Sequence, residues 1–420
     1  MRYLHRLLWA LGLAEMLAVC AANSAAGQSS DQPAAMLVFP YVVADSGRGV
    51  DTVIQLSNTD TAAADVSCFF EDDTQHCSNS QNACSSAADC SGGAACLPSF
   101  QVVFFKVRLT ARQPLGWRAS QGLAQVPLPG QGAIPSVPED PFVGSLRCIK
   151  TDAQDIPAPD NVLTGDSTIE QFQPGLLNAT RYGAIGLQAT GTSTSGPDVL
   201  VIGGDSPEYA SCPFIVSFSH FFEGALEPVS NSSRVETTLV VVPCGVDLEH
   251  NRSPLTTVQL DVTNEYGQHM AGQTFTVNGQ YVARLSAIDS VLFDVGLQGT
   301  LTGHTTLNGE GTDPLGNGVL ALVVETHRQI EGPERSASRN VQVQGALATP
   351  DLIVGRQCRG DCNSDRVVSI DEIVQLVNIG FAAATVDTCA NGDRNADGEI
   401  TIDEIVASVN SILDGCPPPL

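Results

Sequence analysis

The stretch Asp51-Thr-Val-Ile-Gln-Leu-Ser-Asn58 alternates apolar and polar residues, and Thr257-Val-Gln-Leu-Asp-Val-Thr-Asn264 echoes it in the second half of the chain. Successive side chains of a strand point to opposite faces, so this alternation predicts a strand with one buried face. Similar runs surround both: Val66–Phe70, Val102–Leu109, Tyr182–Leu187, Val199–Gly203, Thr237–Val242, Val291–Val295, Val319–Glu325 and Asn340–Gly345. Turn residues separate them. With 39 Gly, 24 Pro and only 16% charged residues, the pattern is that of a mainly β protein.

The echoed strand, together with a Gly-Ser/Thr-Leu strand start at both Gly144 and Gly299, predicts two tandem Ig-like β-sandwich domains. The first spans 33–233 and the second 234–353, each long enough for its own core. A Cys-rich insert over 68–96 interrupts the first. Its cysteines, Cys77, Cys84, Cys90 and Cys96, lie among Ser, Ala, Gly and Asn with few large apolar residues. Disulfides are the expected substitute for a core there, and Cys212 with Cys244 is the expected pair between strands.

The strongest chemical signal follows residue 355. Asp393, Asn395, Asp397, Gly398 and Glu404 fit the calcium-loop pattern D-x-[DN]-x-[DN]-G-x5-E at every defined position. Asp361, Asn363, Asp365 and Glu372 repeat it, with Arg366 in place of the glycine. Calcium takes six to eight oxygens. The side chains at loop positions 1, 3 and 5, the carbonyls of Val367 and Glu399 at position 7, Ser369 and Thr401 at position 9, and a bidentate Glu372 or Glu404 at position 12 supply that set. Two Ca2+ sites are therefore expected. The Asp393 loop is expected to be the tighter, because the glycine position needs a positive φ and Arg366 adds a positive charge beside the metal. Each loop leads into a helix-period run: Ile370, Ile373, Val374, Val377 and Phe381, then Ile402, Ile405, Val406, Val409, Ile412 and Leu413. These stripes predict two helices that pack on one another.

Two loop–helix units in tandem, with near-copied sequences Val368-Ser-Ile-Asp-Glu-Ile-Val and Ile400-Thr-Ile-Asp-Glu-Ile-Val, resemble a dockerin module over about 355–416. The resemblance implies a small α-helical double EF-hand module that binds calcium and docks to a cohesin-like partner. It further implies that Ile370, Asp371, Ile402 and Asp403, at loop positions 10 and 11, contact that partner. Two features depart from the family pattern. Position 12 is Glu where dockerins usually have Asp, and Cys358, Cys362, Cys389 and Cys416 lie in and around the module.

Arg2 and Arg6, an apolar run from Leu7 to Ala22, and small residues to Ala26 read as a signal peptide over 1–26, so a secreted or cell-surface protein is expected. Lipidation at Cys20 is the lesser alternative. No later run is long and apolar enough to span a membrane. The net charge of −26 argues against nucleic acid as a partner.

No catalytic constellation emerges. Gly204-Asp205-Ser206 with His220 reads as a turn after a strand, and the carboxylate pairs Glu71/Asp72 and Glu139/Asp140 cannot be assigned roles without geometry. Arg359-Gly360-Asp361 spells an integrin-binding tripeptide whose Asp is committed to the first calcium loop. The expectation is a secreted, non-enzymatic calcium-binding protein that docks through its tail. The alternatives are a carbohydrate-binding or polysaccharide-degrading protein anchored by that tail, and a purely structural surface protein. With 5% aromatic residues and Trp117 as the one tryptophan beyond the leader, there is little for stacking on sugars.

Overall fold

The computed structural model describes residues 32–414 except 81–82, 85–86, 98–99, 124–132, 153–154, 174–175, 192–198, 204–207, 227–232, 312–314, 330–333, 344–346, 349–350, 355–358, 363–366 and 393–398. Residues 1–26, expected as a leader, and Gly204-Asp205-Ser206, expected as a turn, lie outside the described residues. The chain is mainly β, with 53% strand and 13% helix, as the alternating runs predict.

Four antiparallel sheets carry most of the strands. The first orders Ile185–Leu187, Met36–Ala44, Phe142–Thr151, Ala64–Asp72 and Gln101–Leu109. The second orders Leu176–Gly183, Leu163–Gln173, Val50–Asn58 and Pro114–Arg118. The third orders His269–Asn278, Leu255–Asn264, Thr302–Glu310, Ile215–Phe221 and Gln342–Val343. The fourth orders Tyr281–Arg284, Ser233–Pro243, Val319–Gln329 and Arg335–Asn340.

The expected pair of Ig-like sandwiches with an EF-hand module is corrected at this level. The sheets are arranged like the four blades of a propeller. The reason lies in strands buried on both faces. In Ser233–Pro243, Leu239 and Val241 join one apolar cluster with Val258, Leu307 and Phe275 of the third sheet. Val240, on the opposite face, joins Phe39, Phe70 and Trp117 of the first and second sheets. Val242 joins Met36, Phe69 and Ile149. The neighbouring strand divides in the same way, Val319, Ala321 and Val323 on one side and Leu320, Leu322 and Val324 on the other. A run such as Leu239-Val-Val-Val242 without polar alternation is the mark of two-sided burial. A freestanding sandwich would leave one of those faces in water. Ile215–Phe221, N-terminal to the expected boundary at 233, also pairs along its length with Thr302–Glu310.

A seam of side-chain hydrogen bonds joins the second sheet to the fourth. Asn178 Nδ2 donates to Ser336 Oγ at 3.2 Å, Thr180 Oγ1 to Ser338 Oγ at 2.9 Å, and Asn340 Nδ2 to the Gly183 carbonyl at 2.9 Å.

The expected strand Val291–Val295 is instead a turn between two short helices, Leu285–Ile288 and Val295–Gln298. Asp289 Oδ1 accepts from the Val291 and Leu292 N–H groups, and Asp294 Oδ1 from Leu297 N–H. These local bonds draw the backbone out of any ladder.

Disulfides Cys77–Cys90 and Cys84–Cys96 tie the insert, and Cys212 pairs with Cys244 as expected. Cys68–Cys148 links two neighbouring strands of the first sheet, and Cys362–Cys389 staples the C-terminal segment.

Candidate functional site

Beyond the sheets, the chain forms two helices, Ile370–Gly380 and Ile402–Asp414. Ser369 caps the first. Its hydroxyl accepts from Glu372 N–H, while Glu372 Oε2 accepts from Ser369 N–H at 2.7 Å and from its hydroxyl at 3.0 Å. This reciprocal cap satisfies backbone donors that the first helical turn leaves unpaired. The second copy repeats it: Glu404 Oε2 accepts from Thr401 N–H at 2.8 Å and from its hydroxyl at 2.9 Å.

The copies also interlock crosswise. A Cβ on Gly360 (φ +88°) would fall 2.5 Å from Ser408 Cβ in the second helix, and one on Gly392 would collide with Leu376 Cδ2 in the first. Gly360 and Gly392 hold matching places in the two repeats, as do Leu376 and Ser408. Each helix therefore sits on the backbone ahead of the other copy's loop, where only glycine leaves room. Leu376, Ile379, Cys389 and Ile400 form the small core, with Ile373 and Ile405 against it.

Of the expected stripes, Ile373 and Ile405 pack against this core, and Leu376 and Ile379, outside them, fill it. Ile370, Val374 and Phe381 on the first helix, and Ile402, Val406 and Leu413 on the second, are exposed. The helices meet through the Leu376 and Ile379 side of the first and the Ile405 side of the second. The remaining apolar stripe of each faces outward, and Ile370 is 75% exposed and Ile402 79%. Asp371 is exposed beside Ile370, and the side chain of Asp403 lies outside the described residues.

Of the expected calcium ligands, Asp361, Glu372 and Glu404 are buried, the two glutamates at 5% exposure. Glu372 Oε1 accepts from Cys362 N–H at 2.8 Å, which places the position-12 carboxylate beside the start of its own loop. Ser369 lies within the same hydrogen-bonded group, while Val367, Glu399 and Thr401 are exposed. Asn363, Asp365, Asp393, Asn395 and Asp397 lie outside the described residues, as does Arg366. The described donors are of the oxygen type a hard cation takes, a position-1 and a position-12 carboxylate in the first copy and a position-12 carboxylate in the second. The burial of Asp361 keeps the Arg359-Gly360-Asp361 tripeptide from offering its carboxylate to a receptor.

Two groupings elsewhere were illegible in the sequence. Glu139 Oε2 meets His76 Nε2 at 2.8 Å, and Asp72 lies next to Glu139. The Asp72 carboxyl is pushed up to about 6, first by burial and then by the Glu139 charge, against the lowering effect of Thr74. Asp247, Glu249 and His250 also converge, with His250 Nδ1 2.8 Å from Asp247 Oδ2. Arg252 approaches the same carboxylate at 3.9 Å, and Asp247 Oδ1 accepts from His250 N–H at 3.0 Å, so this cluster closes a turn.

No protein-family model and no curated protein matches the chain. Among solved structures, PBSX exported protein XepA aligns with 67% of this chain and 84% of that one at 9% identity and a TM-score of 0.14, a level that supports no conclusion.

Proposed function

We propose that the protein binds two Ca2+ ions in its C-terminal segment and, so ordered, docks to a protein partner, as the dockerin resemblance implies. One observation carries the reading. Glu372 and Glu404 are both buried, both fold back onto position 9 of their own loops, and both stand next to a bare isoleucine, Ile370 or Ile402.

Asp361, Asn363, Asp365, the Val367 carbonyl, Ser369 and Glu372 would hold one ion. Asp393, Asn395, Asp397, the Glu399 carbonyl, Thr401 and Glu404 would hold the other. Bound calcium neutralises carboxylates that otherwise repel, so binding free energy becomes ordering free energy. The outward stripes, Ile370, Val374 and Phe381 with Asp371, and Ile402, Val406 and Leu413 with Asp403, form the contact face. Exposed apolar stripes of this kind mark surfaces that a partner covers.

A secreted or surface location follows from the leader-like N-terminus, and the disulfides fit it. The carbohydrate reading gains no support from Trp117, which is buried in the main core.

The test is calcium titration calorimetry on the full chain, followed by capture of extracellular proteins from the source organism on the immobilised chain, with and without chelator. Two-site binding and a partner lost in chelator support the proposal. Heat-silent titration refutes the calcium step, and a partner indifferent to chelator refutes the coupling.

A further inference from the structure

A cavity of about 490 Å³ lies where three parts of the chain meet. Thr74, Gln75 and Val143 come from the first sheet and its margin, Cys84 and Asp89 from the disulfide-tied insert, and Gln280 and Val282 from the link and strand that lead from the third sheet into the fourth. Its size is ordinary for a small-molecule site.

Two of the polar groups lining it are orphaned acceptors. Gln280 spends both amide hydrogens, donating to the Pro40 carbonyl at 2.6 Å and the Gly144 carbonyl at 2.7 Å. That fixes the amide, and its Oε1 is left buried without a partner. Asp73 Oδ2 is likewise buried without a partner. Both lining residues offer acceptors and ask for a donor. The carboxylates of Asp45, Asp73 and Asp89 face one cation, Arg48, which is largely in solvent and 3.9 Å from Asp45.

Gly279 packs against Asp73. It has φ +78°, and any Cβ there would collide with Asp73 Oδ1. Burial, then the neighbouring Glu71 and Asp72, push the Asp73 carboxyl well above the ordinary range, and the Gln280 backbone N–H opposes them. A carboxyl so placed holds its proton when alone, and a guest ammonium takes that proton's place.

We propose that this cavity binds a small organic cation carrying an ammonium group, with Asp73 and Gln280 as its acceptors. The choice over a bare metal ion rests on geometry. Among the described residues, Asp45, Asp73 and Asp89 do not form a group tight enough to share one ion, and Cys84 beside them is spent in its disulfide with Cys96. Pro141, Val143 and Val282 add an apolar wall suited to an alkyl chain.

The test is isothermal titration of the full disulfide-bonded chain with 1,5-diaminopentane, in calcium and physiological salt so that the outcome is independent of the C-terminal sites. Saturable one-to-one binding tighter than about 1 mM is expected. Asp73→Asn and Gln280→Leu are each expected to weaken it at least tenfold, and Asp160→Asn, an exposed control, to leave it unchanged. The uncharged analogue 1,5-pentanediol is expected not to bind. Equal binding of the diol, equal binding by both cavity variants, or the absence of saturable heat overturns the proposal. Should Asp73→Asn fail to fold, Asp89→Asn on the insert serves in its place, with a threefold loss expected.

Discussion

Arg147 and Glu71 form an ion pair with no access to water: the Arg147 Nε donates to Glu71 Oε1 at 2.6 Å, and both side chains are essentially fully buried. The other guanidinium nitrogens reach the carbonyls of Cys244 at 3.0 Å and Pro243 at 3.3 Å. Ser145 Oγ donates to the second Glu71 oxygen at 2.9 Å. One side chain of the first sheet therefore ends in the backbone of the fourth. Arg147→Met leaves Glu71 buried and uncompensated, and a loss of about 3–5 kcal/mol in urea unfolding is expected. Pairing it with Glu71→Gln should recover part of that loss, because the orphaned charge is gone.

His220 gives a pH dependence. It sits among Phe218, Phe222 and Phe293, with Nε2 2.8 Å from Thr305 Oγ1. Burial lowers its pKa from 6.5 to about 4. Between those values the unfolded chain binds the proton and the folded one does not, so stability falls as pH drops from 6.5 towards 4, by about 3 kcal/mol for this group alone. Urea midpoints measured from pH 7 to pH 4 should fall more steeply for the wild-type chain than for His220→Phe.

Asp72 works in the opposite sense. Its folded pKa, about 6, lies above the ordinary 3.8, so the folded state holds the proton more tightly. That contribution is present below pH 3.8 and is lost as pH rises through 6, up to about 3 kcal/mol. Asp72→Asn keeps an acceptor for Thr74 N–H and removes the charge. It should stabilise the chain at pH 8 and do little at pH 4, as read by thermal unfolding at the two pH values.

For the proposed calcium sites, Glu404→Gln and Glu372→Gln are each expected to weaken one site at least tenfold in a two-site titration. Arg366→Gly should tighten the weaker of the proposed sites several-fold, by removing the charge and by restoring the glycine that the loop pattern asks for at that position, worth about 1 kcal/mol. Ile370→Asp with Ile402→Asp should leave calcium affinity unchanged and abolish partner capture.

The contrast among these sites shows what a linear reading can reach. Strand positions followed from alternation, as in Val50–Asn58, because a half-buried strand writes its period into the chain. The two C-terminal helices, Ile370–Gly380 and Ile402–Asp414, were legible because their apolar residues recur at helical spacing. The blade arrangement was missed at Leu239-Val-Val-Val242, whose unbroken apolar run signalled two buried faces but was read as one. Ile370 and Ile402 were placed both in the packing stripe and on a contact face, and their exposure removes them from the packing, because apolar periodicity does not say which of two apolar sides is covered. Asp73 meets Gln280, and Asp72 meets Glu139, only through the fold, and no local spacing announces either encounter.

The two-sided strands of the fourth sheet also bear on the order in which the chain acquires its shape. Met36, Val38 and Phe69 are complete as a surface once the first sheet has formed, yet the residues that cover them, Val242 and Leu320, are synthesised much later. While the ribosome is still extending the chain, that apolar face stands open to neighbouring nascent chains. Vulnerability to aggregation should therefore peak in half-length intermediates and vanish only when Val319–Gln329 has emerged and inserted beside Ser233–Pro243.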